Sequence, residues 1–343
     1  MKKALILLLA VAVAVAAFCA WNWLRDNRLP AFGGGVELYV RPDMSPQDVI
    51  AQLSDQVQIR WPGRLERVFE KHKVQEYLTP GHYVLEPGRT AVYLARMLNN
   101  GWETPVKVVL AGTLRLRGDI ANKISAQLLA DSATVRRALD DPDFLAPYGF
   151  TPAEVFGLIV PDTYEMYWTA DMTAFFDRQK QAYDRFWNED NRAKAAKLGL
   201  TPKQVSIVAS IVNGETNYVP EMPKIAGVYL NRLKQGMKLQ ADPTVAFCFD
   251  YTLSRIYLRH LEVDSPYNTY RYSGLPPGPI AVPTRDALEA VLNPDRGGGN
   301  LYFCADPSFN GTHRFARNYA EHLKNARAFQ QALNQRNSAS PAK

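Results

Sequence analysis

The sequence predicts an α+β protein that begins with a transmembrane helix, continues into a small mixed unit and ends in a larger, mainly helical unit with short strands. Three observations lead to this prediction. An apolar run lies near the N-terminus, strand and helix patterns alternate over residues 36–112, and helical patterns dominate residues 113–335. With 343 residues, of which 47% are hydrophobic and 22% charged, the chain is large enough for such a fold.

The apolar run at residues 4–24 is the predicted membrane anchor, and it ends in a Trp-Asn-Trp-Leu segment. At about 1.5 Å per helical residue, about 20 residues cross a hydrocarbon core of about 30 Å. Lys2 and Lys3 precede the run, and positively charged flanks stay on the cytoplasmic side. Residues 1–3 are therefore expected to form a cytoplasmic tip, with the rest of the chain outside the cytoplasm.

A cleaved signal peptide is the alternative interpretation of this run. Such a peptide has a shorter apolar core, about 7–15 residues, and ends at a small-x-small site that the alanine-rich stretches here could supply. A lipoprotein signal needs a small residue before its cysteine, whereas Phe18 precedes Cys19. The length of the run favours an uncleaved anchor, and the polar, glycine-rich residues 25–35 are then predicted to be a linker.

Residues 36–112 have the pattern of a small α+β unit. Apolar residues alternate along residues 36–40, which is the period of a half-buried strand. Ser45 followed by proline is typical of a helix N-terminus. Further helices and strands are predicted at residues 64–72, 82–85, 90–99 and 105–110.

From residue 113 onward, the patterns are mostly helical. Helices are predicted at residues 118–129 and 131–139, and a long, charged, amphipathic stretch at residues 172–198 predicts a surface helix. The polar residues 336–343 are expected to form a flexible tail.

Composition and spacing argue against nucleic-acid binding and against metal chemistry. A net charge of +6 suits an anionic lipid or polymer, but the chain has no arginine-rich helix or other nucleic-acid signature. Its five histidines and three cysteines have no metal-ligand spacing, so we expect neither a metal nor another cofactor. Cys248 and Cys304 could pair in an oxidising compartment, although two buried free thiols are the favoured interpretation.

The helix predicted at residues 201–216 ends in an unusual carboxyl group. Thr201 and Gln204 have the spacing of a capping box. A stripe of valines runs along the helix, and Glu215 is the next position on that stripe. Burial would raise the pKa of this carboxyl group and suit it to general-acid catalysis near neutral pH. The alternative is a glutamate that merely reaches solvent where the helix frays.

Two polar, irregular segments follow, and both are typical of ligand-facing loops. The second combines aromatic faces, which stack on sugar rings, with amide and hydroxyl groups, which hydrogen-bond to sugar hydroxyls. A proline- and glycine-rich turn at residues 274–278 is either structural or a further contact. The side chains predicted to bind substrate are Gln240, Asp242 and Thr244 in the first segment and Tyr267, Asn268 and Tyr270 in the second.

Five segments in a fixed order resemble the MltG (YceG-like) endolytic murein transglycosylases, and together they extend the resemblance over nearly the whole chain beyond the apolar run. The resemblance implies a membrane anchor, a LysM-like domain at residues 36–112 and a lysozyme-like transglycosylase domain at residues 113–335. The segments are PDTYE (161–165), ASIVNGET (209–216), VYLNRLKQGMKLQADPT (228–244), SPYNTY (265–270) and GLPPGPIAVP (274–283).

The same resemblance assigns site residues. The family's catalytic glutamate, which threonine follows directly, falls on Glu215, and a polar residue near the family's cleft falls on Asn318, for which a surface loop is the alternative. The chain departs from the family at Asn213, where many members carry a second acid. It also has Phe156-Gly157 where Glu-Gly is common. These departures put the polarity of the pocket, and any second acidic role, in doubt.

The resemblance implies an enzyme that cuts nascent peptidoglycan between N-acetylmuramic acid (MurNAc) and N-acetylglucosamine (GlcNAc), leaves 1,6-anhydro ends and sets strand length. Its expected partners are glycan strands, the inner membrane and the peptidoglycan synthases (penicillin-binding proteins), with its catalytic domain in the periplasm. One alternative is a hydrolase that uses Asp242 or Glu221 as a second carboxylate. The other is a catalytically silent wall-binding scaffold.

Overall fold

A computed structural model describes residues 2–339, and the chain divides into two compact units. The first contains the residues up to Val108 together with Gln127–Ala130 and Tyr164–Asp171, and the second contains Val109–Ala126, Asp131–Thr163 and the residues from Met172 onward. The prediction of a helix-rich α+β fold with short strands is confirmed.

Helices account for most of the regular structure. In chain order they are α1 (Lys2–Asn27), α2 (Pro46–Gln56), α3 (Pro62–Lys71), α4 (Val74–Tyr77), α5 (Ala91–Asn99), α6 (Arg117–Ser125), α7 (Ser132–Asp140), α8 (Pro142–Leu145), α9 (Met172–Phe186), α10 (Glu189–Lys197), α11 (Pro202–Glu215), α12 (Met222–Lys234), α13 (Asp242–Cys248), α14 (Arg285–Leu292) and α15 (Tyr319–Ala339). The strands are β1 (Val36–Val40), β2 (Gly81–Leu85), β3 (Val106–Val109), β4 (Thr163–Met166), β5 (Tyr302–Ala305) and β6 (His313–Ala316), and within residues 2–339 they pair as β1-β2, β3-β4 and β5-β6.

Helix α1 is long and apolar enough to cross a membrane, and its apolar side chains are exposed along its length. Its C-terminal end is attached to the first unit, because Asp26 is buried and accepts hydrogen bonds from the Arg64 guanidinium at 2.9 and 2.6 Å. The residues that follow, predicted as a linker, include Ala31 and Phe32, which are buried in the core of this unit.

The core of the first unit follows from the pattern of alternating residues in the sequence. Strands β1 and β2 pair antiparallel in the register Val36↔Leu85 to Val40↔Gly81. Apolar side chains of β1 point inward in alternation with exposed residues, as predicted. Helix α2 begins at the predicted cap Ser45 and α5 at Thr90, and both side chains accept hydrogen bonds from the backbone three residues ahead.

The second unit is organised around α11, whose residues 205–212 are all buried. Helices α12, α13 and α14 pack against it. A helix with apolar residues on every face can only be stable inside such a bundle. The strand pair β5-β6 and α15 pack together at the C-terminal side of this unit.

The single surface helix expected at residues 172–198 is two helices, α9 and α10. Asn188 caps α10 by accepting a hydrogen bond from the backbone N–H of Asn191 at 3.0 Å, and this cap ends the preceding helix. Phe175 and Phe176 on α9 are fully buried, so α9 belongs to the core. At the other end of the unit, α15 continues to Ala339, and the last four residues of the predicted tail lie outside the described residues.

Candidate active site

Helix α11 carries Glu215 as its last residue. The predicted capping box is present: Thr201 Oγ1 accepts from the backbone N–H of Gln204 at 3.3 Å, and Gln204 Oε1 accepts from the backbone N–H of Thr201 at 2.9 Å. At the opposite end, a Cβ atom on Gly214 would lie 2.5 Å from Pro243 Cβ. Gly214 therefore permits the first turn of α13 to contact the last turn of α11.

The Glu215 side chain opens into a cleft of about 320 Å³ within the second unit. The size is that of a small-ligand site, and the lining mixes aromatic with polar groups. The cleft is lined by Glu215, Tyr229, Arg232, Leu239, Gln240, Asp242, Tyr270, Tyr302, Phe303, Tyr319 and His322.

Glu215 is half-buried, and its pKa is raised from the usual range to about 7, mainly because burial disfavours the charged carboxylate. The Tyr229 hydroxyl donates to Glu215 Oε1 at 2.5 Å, which stabilises the carboxylate and moderates this rise. The negative charge of Asp242 raises the pKa further, whereas the positive charge of Arg232 lowers it. Near pH 7, Glu215 can therefore both donate and accept a proton.

Tyr229 and Arg232 lie three residues apart on α12, one turn from each other on the same face. Burial and the neighbouring Glu215 raise the pKa of the Tyr229 phenol well above its usual value, so it stays protonated as a hydrogen-bond donor. The Arg232 guanidinium is buried and donates to Leu301 O at 2.6 Å and Leu239 O at 2.8 Å. These hydrogen bonds connect α12 to the backbone segments that contain Leu239 and Leu301.

A second carboxylate, Asp242, lies at the start of α13 on the rim of the same cleft. The Tyr270 hydroxyl donates to Asp242 Oδ1 at 2.5 Å. Burial is the main cause of the raised pKa of this phenol, followed by its contact with Asp242. The two residues together place a carboxylate and an aromatic ring beside Glu215.

Thr244 and Asn268, which were predicted to bind substrate, do not line the cleft, and both are completely buried. Thr244 Oγ1 bonds to Ala241 O at 2.7 Å and to Thr269 Oγ1 at 2.8 Å. The Asn268 amide donates to two backbone carbonyls, and its oxygen accepts from the backbone N–H of Tyr270 at 3.0 Å. These side chains hold the loops that present Asp242 and Tyr270.

The two remaining predicted residues lie apart from the Glu215 cleft. Tyr267 lines a separate cavity of about 500 Å³, where its ring centroid is 4.7 Å from that of Phe247. Asn318 is exposed and caps α15 by accepting from the backbone N–H of Glu321 at 2.9 Å. The structure thus brings together Glu215, Gln240, Asp242 and Tyr270 of the eight predicted site residues.

Seven cleft residues were not predicted from the sequence. Tyr302 stacks on His322 with ring centroids 5.3 Å apart, and the Arg232 guanidinium lies 5.0 Å from the Tyr302 centroid. Burial lowers the pKa of His322 and favours its neutral form. The seven are Tyr229, Arg232, Leu239, Tyr302, Phe303, Tyr319 and His322.

Asn213, which departs from the family pattern, and Glu221, an alternative second carboxylate, both have structural contacts here. Asn213 Oδ1 accepts from Thr284 N at 2.8 Å and from Thr284 Oγ1 at 2.9 Å, which fixes the start of α14. Glu221 is buried and bonds to the backbone and ring of His313, outside the cleft lining. In residues 2–339, no three His, Cys, Asp or Glu side chains are placed to hold a metal ion.

This arrangement, a carboxyl group of raised pKa in an aromatic cleft with a tyrosine donor, is chemically suited to acid–base catalysis. A sequence model of the YceG-like family matches residues 38–328. The chain therefore belongs to the YceG-like family.

Relatives and a solved structure agree with this assignment. The chain is 38% identical over 136 residues to the endolytic murein transglycosylase of Bacillus subtilis (strain 168), covering 40% of this chain and 37% of the relative. It is 25% identical to the endolytic murein transglycosylase of Streptococcus pneumoniae (strain D39), over 91% of this chain and 62% of the relative. The chain thus spans less than two thirds of the length of these relatives.

A crystal structure of a yceG-like protein from Listeria monocytogenes superposes with a TM-score of 0.55 at 28% identity. The match covers 84% of this chain and 98% of that one.

Proposed function

We propose that this chain is a peptidoglycan lytic transglycosylase that cleaves MurNAc-β-1,4-GlcNAc bonds within nascent strands, with Glu215 as its acid and base. The observation that carries the proposal is a carboxyl group whose pKa is raised to about 7 in an aromatic cleft. Membership of the YceG-like family and the names of the relatives support it.

In the proposed reaction, protonated Glu215 donates its proton to the glycosidic oxygen as the bond from the muramyl C1 to that oxygen breaks. The resulting carboxylate then takes the proton from the muramyl 6-hydroxyl, whose oxygen bonds to C1. Glu215 ends protonated, as it began, and no water is consumed. Because the nucleophile belongs to the substrate, one carboxyl group is sufficient.

The groups around Glu215 suit both halves of this cycle. Burial keeps a fraction of the carboxyl group protonated near pH 7, as the first step requires. The Tyr229 hydrogen bond stabilises the carboxylate that the first step leaves behind. The stacked Tyr302 and His322 rings offer a surface for the apolar face of a sugar.

The test is mass spectrometry of fragments released from nascent glycan by the wild type, Glu215→Gln and the matched control Glu189→Gln, an exposed glutamate on α10. We expect 1,6-anhydroMurNAc ends from the wild type and the control, and none from Glu215→Gln. Cleavage that persists unchanged in Glu215→Gln contradicts the assignment of this residue.

A muramidase-type hydrolase is the runner-up, and one observation favours it: Asp242 lines the same cleft as Glu215. In that mechanism Asp242 would act as base or nucleophile, and the fragments would carry reducing ends. Asp242→Asn would then abolish cleavage. A lytic enzyme keeps anhydro products in this variant, and a wall-binding scaffold gives no fragments from the wild type.

The proposal extends to location and partners. Helix α1 would anchor the chain in the inner membrane with its N-terminus in the cytoplasm and residues 113–335 as a periplasmic catalytic domain, beside the peptidoglycan synthases. Residues 36–112 would form the LysM-like domain. Protease added to intact spheroplasts should digest everything beyond α1, whereas protection of the body would reverse this orientation.

A further inference from the structure

Glu215 and Asp242 line a second cavity as well, of about 270 Å³, within the same unit. Glu215 and Asp242 therefore border both cavities, and an extended ligand held at Glu215 can reach into each of them. The remaining lining residues of the second cavity are Arg115, Gly214, Pro243, Ala246, Tyr251, Leu253 and Ile256.

Arg115 is the one cationic side chain among these lining residues. Its guanidinium carbon lies 4.9 Å from the Tyr251 ring centroid, and within residues 2–339 no carboxylate pairs with it. Its backbone N–H donates to Asp119 Oδ2 at 2.9 Å, which fixes the chain at this point. The Arg115 guanidinium is thus held against an aromatic face, and its N–H donors remain available to a ligand.

Tyr251 is a rigid support for this guanidinium. Its hydroxyl donates to Ile280 O at 2.7 Å. Its backbone is in the left-handed region with φ of 56°, directly after Asp250 with φ of 50°. Two consecutive non-glycine residues in this conformation are uncommon, and such strain is retained where surrounding contacts over-determine a site.

The charges of the cavity indicate which group the guanidinium can receive. Among the lining side chains, Glu215 and Asp242 would repel an anion and Arg115 would attract it, so an anionic group in this cavity is most stable beside Arg115. In a peptidoglycan strand, GlcNAc is uncharged, whereas the 3-O substituent of MurNAc carries carboxylate chemistry. That carboxylate is the lactyl group of a peptide-free strand or a carboxylate of the stem peptide.

We propose that Arg115, supported by Tyr251, binds the carboxylate on the 3-O substituent of a muramyl residue and so sets which residue of the alternating strand lies at Glu215. The inference rests on the proposed function and assigns a specificity determinant within it. Because arginine binds carboxylates through a planar, paired donor geometry, the contact distinguishes MurNAc from GlcNAc.

The test uses the full chain in detergent, with Glu215→Gln as the parent so that strands bind without turnover. Calorimetry compares the parent with Arg115→Gln in that background. The matched control is Arg336→Gln, an exposed arginine that lies 4.8 Å from the Phe309 ring. Each protein is titrated with peptide-free strands, the same strands after amidation of their carboxylates, and stem-bearing strands.

We expect Arg115→Gln to bind native strands at least about tenfold more weakly than the parent, the size of a lost charge-assisted hydrogen bond. Amidated strands should bind both proteins equally, because the partner of Arg115 is then missing. If Arg115→Gln weakens binding of peptide-free strands, the partner of Arg115 is the lactyl carboxylate. If it weakens binding of stem-bearing strands alone, the partner is a carboxylate of the stem peptide. Equal binding of native strands by both proteins, or equal losses on native and amidated strands, overturns the inference.

Kinetics of the Glu215-containing protein separate this inference from the proposed function. Arg115→Gln should raise KM on native strands with little change in kcat. If the wild type produces no anhydro ends yet binds strands in a carboxylate-dependent way through Arg115, the proposed activity is refuted and the carboxylate-binding role of Arg115 stands. If the wild type cleaves native and amidated strands equally well, the role of Arg115 is refuted and the proposed activity stands.

Discussion

Replacing Tyr229 with phenylalanine removes one hydroxyl group and tests the acid–base assignment of Glu215. The hydroxyl donates to Glu215 Oε1 at 2.5 Å, and this bond lowers the pKa of a carboxyl group that burial raises. The ring contact with Phe303, at a centroid distance of 6.0 Å, does not depend on the hydroxyl. Tyr229→Phe should therefore change the protonation of Glu215 while the packing stays intact.

The size of the effect follows from the difference between charged and neutral hydrogen bonds. A bond to a charged group contributes about 1.5–3 kcal/mol and a neutral one about 0.5–1.5 kcal/mol, so losing this donor costs the carboxylate about 1–1.5 kcal/mol more than the neutral acid. At about 1.4 kcal/mol per pH unit, the pKa of Glu215 rises by about one unit.

The sign of the pH change is set by the role of Glu215. A general acid must be protonated, so activity falls as the pH rises through its pKa, which is about 7 in the wild type. With the higher pKa of the Tyr229→Phe variant, the alkaline limb of kcat/KM should move about one pH unit upward.

The assay is the rate of anhydro-end formation between pH 5 and 9. Tyr77→Phe serves as the control, since Tyr77 is an exposed tyrosine of the first unit. Thermal unfolding of both variants checks that the fold is retained. An alkaline limb that stays in place or moves to lower pH refutes the role of Tyr229 as a stabiliser of the carboxylate.

Three substitutions test the elements that position the site. Gly214→Ala should destabilise the fold by about 1–3 kcal/mol in urea unfolding, because the new Cβ would lie 2.5 Å from the rigid Pro243 ring. A variant that is more stable than the wild type, through the higher helix propensity of alanine, would show that the Pro243 contact adjusts easily. Thr201→Ala should cost about 1 kcal/mol through loss of the capping box, with Thr201→Ser restoring most of it. Asn213→Ala should cost about 1–3 kcal/mol because it leaves the partly buried N–H of Thr284 without its acceptor, whereas Asn213→Asp keeps an acceptor and should cost less.

Local patterns predicted most of the regular elements because their causes are local. The alternation at residues 36–40 and the caps at Ser45 and Thr201 produce the strand and helix starts seen in the structure. The division of residues 172–198 was missed because the amphipathic pattern continues across the break. The side chain of Asn188, which caps the second helix, was the available signal.

The cleft was only partly predictable, because its walls come from distant parts of the chain. The stripe on α11 placed Glu215 at the end of a buried helix, but Tyr302 and His322 lie about 90 to 110 residues further on and meet it through tertiary packing alone. A polar residue in a loop also has two possible uses. Asn268 satisfies backbone groups, whereas Gln240 faces the cleft, and both are side-chain amides in polar, proline-containing loops.

Under the proposed membrane anchoring of α1, the bidentate contact between Asp26 and Arg64 has a mechanical consequence. It joins the last turn of α1 to α3, and the buried Phe32 follows within two turns of chain. A flexible tether would let the first unit rotate freely above a bilayer, whereas this contact would make α1 and the first unit tilt together. The inclination of a membrane-spanning α1, which bilayer thickness controls, would then determine which face of the first unit is turned toward the wall.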